Sequence, residues 1–288
     1  MTATTEDIST ELKLNWTNVA FFSAFHIAAL AAPFYFSWQA VILTVFLHWF
    51  LGSIGITMGY HRLLSHRSFQ VPQWLEYIIA TIGALALQGG PIFWVGGHRQ
   101  HHGFTEDNEK DPYSANRGFW WSHMMWIMYS KPEHFQLTNY SKFAPDFALD
   151  PYYKFLDRYF LLLQVPMAAL LYVIGEKVFS GLGMSFLVYG MVVRSVFLWH
   201  STWLINSACH KWGYKNFAEI PDHSTNLWWA AILTYGEGWH NNHHAFPKSA
   251  KQGLKWWEID PTWAVISLLK WVGLATKVYL PEPWQPSK

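Results

Sequence analysis

Eight of the fifteen histidines in this chain crowd into three short boxes: HRLLSH at 61–66, HRQHH at 98–102 and HNNHH at 240–244. Imidazole is a borderline-soft donor that suits iron, copper, zinc and nickel, so metal binding is the chemistry these residues can support. In the second and third boxes the histidines stand at i, i+3 and i+4, which share one face of a helix. His98, His101 and His102 can converge, and so can His240, His243 and His244. His61 and His66 are five residues apart, about 140° round a regular helix, and would diverge. Either they serve two different metals or the helix ends between them. Eight imidazoles exceed the three or four donors of one zinc ion, which favours two metals over one. Cys209 is the only cysteine. A zinc ribbon, a cysteine-held cluster and an intramolecular disulfide are therefore excluded.

Positioning these boxes falls to apolar elements. The chain of 288 residues is 51% hydrophobic, 19% aromatic and only 14% charged. Its apolar residues come in blocks at about 16–36, 38–58, 157–177 and 181–205, the last interrupted by Arg194. Each block is long enough to cross a ~30 Å hydrocarbon core as a helix, and aromatic residues stand at the ends. The pattern predicts an all-α integral membrane protein with four transmembrane helices. A cytoplasmic helical cap, built from 59–155 and 206–288, would carry the boxes. Residues 1–15 are polar and partly acidic, so the first block reads as a retained span rather than a secretory signal. Lys and Arg concentrate in the long segments, while the short turns near 37 and 176–180 hold only Lys177. That asymmetry places both termini and the boxes on the cytoplasmic side. Residues 74–95 are apolar enough for a fifth crossing, but a crossing would separate 98–102 from 61–66. They are therefore expected to be peripheral or re-entrant, with a break at Gly89-Gly90-Pro91. A formal net charge of +1 gives no case for nucleic-acid binding.

Histidines outside the boxes read more plainly. His26 and His48 fall within the first two blocks and are expected to hydrogen-bond inside the bundle. His134 and His223 read as solvated loop residues. His123 suits either a supporting hydrogen bond near the metals or a packing role. Arg194 and His200 are polar groups within the fourth block, a placement that invites a functional role without naming one.

At its boxes the chain resembles the membrane fatty-acyl desaturases, specifically the Δ9 (stearoyl-type) branch, whose pattern is HxxxxH, HxxHH and HxxHH in that order. The likeness continues through HRLLSHRSF at 61–69, DPYSANRGFWWSH at 111–123, TWLINSACHKWGY at 202–214 and GEGWHNNHHAFP at 236–247. It covers roughly residues 40–260. The resemblance implies two iron ions held by His61, His66, His98, His101, His102, His240, His243 and His244. It adds His210 as a ninth ligand and Asn206 as a ligand acting through a water. It also implies that Trp94 and Thr202 line the kink of an acyl tunnel. The string ALQGGPIFWVGGHRQHH is most similar to the cyanobacterial and plant branch, which implies a thylakoid or plasma membrane. Gly96 and Gly97 stand where animal acyl-CoA enzymes carry an Arg-Asp pair that helps hold the coenzyme.

The implied reaction puts a cis double bond into a saturated C16 or C18 chain with O2 and two electrons. A mid-chain methylene has neither acidity nor a leaving group, so the metals must supply the hard chemistry while the protein positions the carbons. No flavin or nicotinamide fingerprint is present, so a separate carrier must bring the electrons. The cyanobacterial look implies glycerolipid-bound acyl chains with ferredoxin as donor. The alternative is an acyl thioester, acyl-CoA, with cytochrome b5, for which Arg117 and Lys110 could meet a phosphate. A histidine-box hydroxylase would share the metal site but insert oxygen. A metal transporter would want ligands at mid-membrane along a path, whereas these boxes follow the spans and share one face.

Overall fold

The apolar blocks become helices whose starts are fixed by polar residues. In the computed structural model, which describes residues 12–130 and 137–281, the chain is predominantly helical. His134 lies outside the described residues. Asn15 begins α1 (Trp16–Ala29) by accepting from the Asn18 amide at 3.1 Å. Ser37 begins α2 by accepting from the Ala40 amide at 3.2 Å. Such caps stabilise a helix start by about 0.5–2 kcal/mol. α2 then runs unbroken for 28 residues, Trp38–Ser65. Its second half, Phe50–Ser65, is wound as a π-helix. The helix therefore passes the expected end at 58 and carries the first box on its last turns.

The stretch 74–95 is divided into α3 (Gln73–Leu85) and α4 (Pro91–Gly103), with Gly90 extended before the proline. A Cβ on Gly55 of α2 would lie 2.8 Å from the Gly83 nitrogen, so α2 and α3 cross in backbone contact. Three carbonyls around the α3–α4 turn accept from side chains. Ala84 takes Gln164 at 3.3 Å, Leu85 takes Arg194 at 3.3 Å, and Leu87 takes the Trp199 indole at 2.8 Å. A buried acceptor left alone costs about 1–3 kcal/mol, so these three donors pin the turn. The start of α4 is held from outside, since Asp157 accepts from the Ile92 and Phe93 amides at 2.7 and 3.1 Å.

The third block is bent. α5 (Pro151–Tyr159) and α6 (Gln164–Lys177) meet at 65°, so no straight helix spans 157–177. The fourth block forms α7, residues 183–207, with a π-wound stretch at Val188–Val193. Box three forms the short α8 (His240–Ala245), and α9 (Pro261–Trp271) follows, capped by Asp260. Two-residue strands, Lys13–Leu14 and Tyr129–Ser130, pair antiparallel. By length and composition α2 alone among the described residues is a clear candidate span, and the bent α5–α6 pair counts as a second if it is one span. The blocks at 16–36 and 181–205 do not meet that test.

The main core gathers around α2, with Leu51, Met58, Leu63 and Leu64 against Ile79 of α3 and Ile92 of α4. A second core joins α1 to α7. There Phe22 meets Trp199 and Trp203 edge-on, with ring centroids 4.8 and 5.5 Å apart. Each such pair adds about 0.5–1.5 kcal/mol beyond its buried area.

Candidate metal centre

Where α2, α4, α8 and the turn after α7 meet, nine imidazoles sort into two groups. His61, His66, His98, His102 and His243 form one, and His101, His210, His240 and His244 form the other. Within each group the donor atoms lie within 4.8 Å of one another. His61 and His66 do not diverge, because π-winding replaces the regular turn. The His66 amide donates to the His61 carbonyl five residues back at 3.1 Å, and the rings stand 4.8 Å apart. The pair thus serves one group, and the helix ends at Ser65 between them.

The second and third boxes do not each converge on a single point. His98 and His102, at i and i+4, enter the five-histidine group, while His101 turns to the other. His240 and His244, also at i and i+4, enter the four-histidine group, while His243 crosses over. Adjacent residues on a helix differ by about 100°, so neighbours such as 101 and 102 address opposite sides of a seam.

Carboxylates decide which nitrogen each ring presents. Asp111 Oδ2 lies 2.9 Å from His101 Nδ1, and Asp222 Oδ2 lies 2.6 Å from His244 Nδ1. Glu106 Oε1 is 3.2 Å from His210 Nδ1, and Glu237 Oε2 is 2.5 Å from His61 Nδ1. A carboxylate only accepts, so in each neutral ring Nδ1 carries the proton and Nε2 is a bare lone pair. These lone pairs face other imidazoles: His61 Nε2 stands 3.1 Å from His243 Nε2, and His210 Nε2 stands 3.0 Å from His240 Nε2. His244 Nε2 is buried with no hydrogen-bond partner. Buried imidazole nitrogens converging at two foci fit divalent cations, and iron is among the metals that such all-nitrogen donor sets suit.

Burial and the neighbouring imidazoles also keep seven of these rings neutral. They hold His66, His98, His102, His240 and His243 well below the ordinary 6.5, and burial lowers His210. His244 is lowered to about 4 by burial, against the pull of Asp222. A neutral ring is the form a metal requires.

The boxes are locked by their non-histidine members. Arg62, wholly buried, pairs with Asp260 at 2.9 Å and with Glu237 at 3.2 Å. Gly236, at φ +116°, lets this network close, since a Cβ there would lie 2.5 Å from Asp260 Oδ1. Arg99 donates to the Leu64 and Ser65 carbonyls, both at 2.9 Å, and so caps the end of α2 from box two. Asn241 and Asn242 are buried and hold α8 to its surroundings; Asn241 accepts from the Asn216 and Phe217 amides, each at 2.8 Å.

A cavity of about 760 Å³ reaches the centre. Its wall includes His61, His98, His101 and His240, and Asn206 lines it beside them. Trp94 and Thr202 line it as well. They are joined by Gln88, which donates to Thr202 Oγ1 at 2.8 Å and accepts from the Trp94 indole at 3.3 Å. Gly52 and Tyr235 line it too. Gly96 faces the short helix Leu137–Phe143, where a Cβ would lie 2.5 Å from the Tyr140 carbonyl. No side chain fits there. Arg117 packs over Trp121 and Lys110 over Phe104, and neither lines the cavity.

Three of the remaining histidines, His26, His200 and His123, form a separate chain. His26 Nδ1 lies 2.7 Å from the Phe22 carbonyl, its Nε2 is 3.0 Å from His200, and His200 is 2.9 Å from His123. His123 ends on Ser207 at 3.0 Å. His48 sits between Tyr235 and Ser201, and His223 is exposed beside Glu106. Sequence reasoning missed Gln88, Glu106, Asp111, Asp222 and Glu237. Two of them stood in view, Asp111 in DPYSANR and Glu237 in GEGWH, but only proximity reveals their partners.

Comparison with known proteins gives the same direction. The fatty acid desaturase family profile matches residues 16–271. An sn-2 palmitoyl-lipid 9-desaturase from Nostoc sp. (strain 36) is 62% identical over 94% of this chain and 92% of its own. An sn-1 stearoyl-lipid 9-desaturase from Anabaena variabilis is 49% identical over 96% of this chain and 98% of its own. An acyl-CoA 5-desaturase from Anemone leveillei is 48% identical over 89% of this chain and 77% of its own. Two nitrogen-rich foci on an apolar cavity, and a profile match over nearly the whole chain, place this protein in the fatty acid desaturase family.

Proposed function

We propose that the chain is a Δ9 acyl-lipid desaturase, acting on a saturated C16 or C18 chain esterified in a membrane glycerolipid. The observation that carries this reading is a two-focus histidine centre in the wall of a mostly apolar cavity, in a chain 62% identical to a palmitoyl-lipid 9-desaturase. In the balanced reaction, two adjacent methylenes each lose one hydrogen atom to give the cis double bond. O2 takes up these two hydrogens, two electrons and two protons to give two water molecules. Two iron ions, when bound, supply the power to cleave an unactivated C–H bond. The nine histidines would hold them, with Asn206 acting through a water. Glu106, Asp111, Asp222 and Glu237 hold the Nδ1 protons and aim the rings. Trp94, Gln88 and Thr202 bend the acyl chain so that one pair of carbons faces the centre. The Gly96 contact leaves no room for a coenzyme-binding side chain at that position, which favours lipid over CoA esters.

We further infer four membrane spans, with the α3–α4 hairpin re-entrant from the cytoplasmic side and the centre in a cytoplasmic cap. Exposed apolar side chains on α1, α2 and α6 support a lipid contact, among them Ile27, Ile42 and Val165 at 67%, 68% and 65% exposure. The side chains that satisfy the hairpin carbonyls meet the demand that no backbone group goes unpaired in lipid. Ferredoxin is the proposed electron donor, and a thylakoid or plasma membrane the proposed site. Expression in a desaturase-deficient host tests the reading. Monounsaturated C16 or C18 chains with the bond at carbon 9 should appear in glycerolipids; hydroxylated products, or products confined to acyl-CoA, would overturn it.

A further inference from the structure

Lys154 and Arg158 stand at i and i+4 on α5, so their side chains share one face of the helix. Both are exposed, and both line the cavity, as do Thr17 and Asn18 of α1. The Lys and Arg ion pairs of the described residues belong to Arg62, Arg67 and Arg99, which leaves this pair of cations without a carboxylate. Asp157, between them in sequence, spends its carboxylate on the Ile92 and Phe93 amides. α5 buries Tyr153 and Leu156 on its opposite side and bends 65° into the apolar α6. At that elbow Leu161 lines the cavity while half exposed, and Leu162 beside it is 62% exposed. The exposed lining residues Thr17, Lys154, Arg158 and Leu161 thus place an opening of the cavity between α1 and the α5–α6 elbow, with two cations that lack a carboxylate on its rim, Arg158 packed over the Tyr159 ring. An acyl chain inserted there leaves its ester and head group beside those cations.

We propose that Lys154 and Arg158 receive an anionic head group, the phosphate or sulfonate of a glycerolipid whose acyl chain fills the cavity. The chain then prefers anionic glycerolipids to galactolipids. This rests on the acyl-lipid reading above. A neutral sugar offers these cations only hydroxyl contacts, whereas a phosphate or sulfonate gives charge-assisted hydrogen bonds. The test uses the full-length protein with its reduced electron donor in vesicles. Dipalmitoyl phosphatidylglycerol, the matching sulfolipid, the matching monogalactosyl lipid and palmitoyl-CoA are each added to one background of constant unreactive anionic lipid. At roughly 1 kcal/mol for each cation near a membrane surface, the two anionic lipids should be desaturated about 30-fold faster than the galactolipid. In K154Q/R158Q that ratio should fall close to one, and in K154E/R158E below one, with iron content checked against the parent. Equal rates on all three glycerolipids, or a preference surviving both double variants, would overturn the head-group inference alone. Desaturation of palmitoyl-CoA and no glycerolipid would overturn the acyl-lipid reading itself.

Discussion

Glu237→Gln should weaken metal binding without unfolding the protein, because Glu237 serves two partners and only one depends on it. Its Oε2 lies 2.5 Å from His61 Nδ1, and its Oε1 lies 3.2 Å from the buried Arg62 guanidinium. Arg62 also has Asp260 at 2.9 Å and the Ala250 carbonyl at 2.8 Å. With Glu237 neutral, one cation and one carboxylate remain, so the buried network stays balanced. His61 loses the charged partner that fixes its tautomer and orientation. Loss of such a partner lowers metal affinity about 10- to 100-fold, roughly 1.4–2.7 kcal/mol. Arg62→Met is the contrasting change, since it leaves two buried carboxylates without a cation. Breaking a buried pair in this way costs about 3–5 kcal/mol. At about 2–4 °C per kcal/mol, that is a fall of roughly 6–20 °C in unfolding temperature. The assay is iron retained by detergent-purified protein against a chelator series, alongside thermal unfolding of both variants. If Glu237→Gln keeps iron at the parent's chelator midpoint, the carboxylate does not orient the ligand. If it lowers the unfolding temperature as far as Arg62→Met, the two roles of Glu237 are not separable.

Gln88→Leu unlinks Trp94 from Thr202, so a mixture of double-bond positions is expected, with iron content unchanged; mass spectrometry of the products checks this. Gly52 lines the cavity with a Cβ position 3.0 Å from Leu198 and 3.1 Å from Tyr235. Gly52→Val should shift preference towards shorter chains, read as the ratio of C16 to C18 products, and an unchanged ratio would place the chain terminus elsewhere. His200→Leu leaves the Nε2 atoms of His26 and His123 without a partner at a cost of about 1–3 kcal/mol apiece, so the unfolding temperature should drop while the product position holds. Metal-free protein should lose stability on acidification. His244 titrates near 4 in the folded chain against 6.5 when unfolded, so below about 6.5 the unfolded state binds more protons and stability falls until pH 4. A flat unfolding temperature between pH 7 and 5 would contradict the buried, neutral ring.

Residue type and spacing determine much of this protein on their own. Histidine boxes at HxxxxH and HxxHH spacing announce a multi-imidazole metal site because few other arrangements of these residues have a use. The apolar blocks announce helices, and Gly89-Gly90-Pro91 announces the break between α3 and α4, because proline cannot extend a helix backwards through its own ring. These signals are local: each rests on the geometry of a few consecutive residues. The division of ligands between two foci is not local. It depends on π-winding in Phe50–Ser65, which reduces the turn by roughly 15–20° per residue, about 90° over five residues, and brings His66 under His61. It depends too on helix seams that send His101 and His243 away from their own box partners. The carboxylates behind the ligands come from loops 10 to 176 residues distant in the chain, and a lone Asp or Glu carries no signature of its partner. Gln88 and the cation pair of α5 gain their meaning only from the cavity they face. Sequence determines which groups are present and how each short segment winds. Tertiary packing decides which of them meet, because contact between distant segments is set by the summed fit of many weakly specified surfaces.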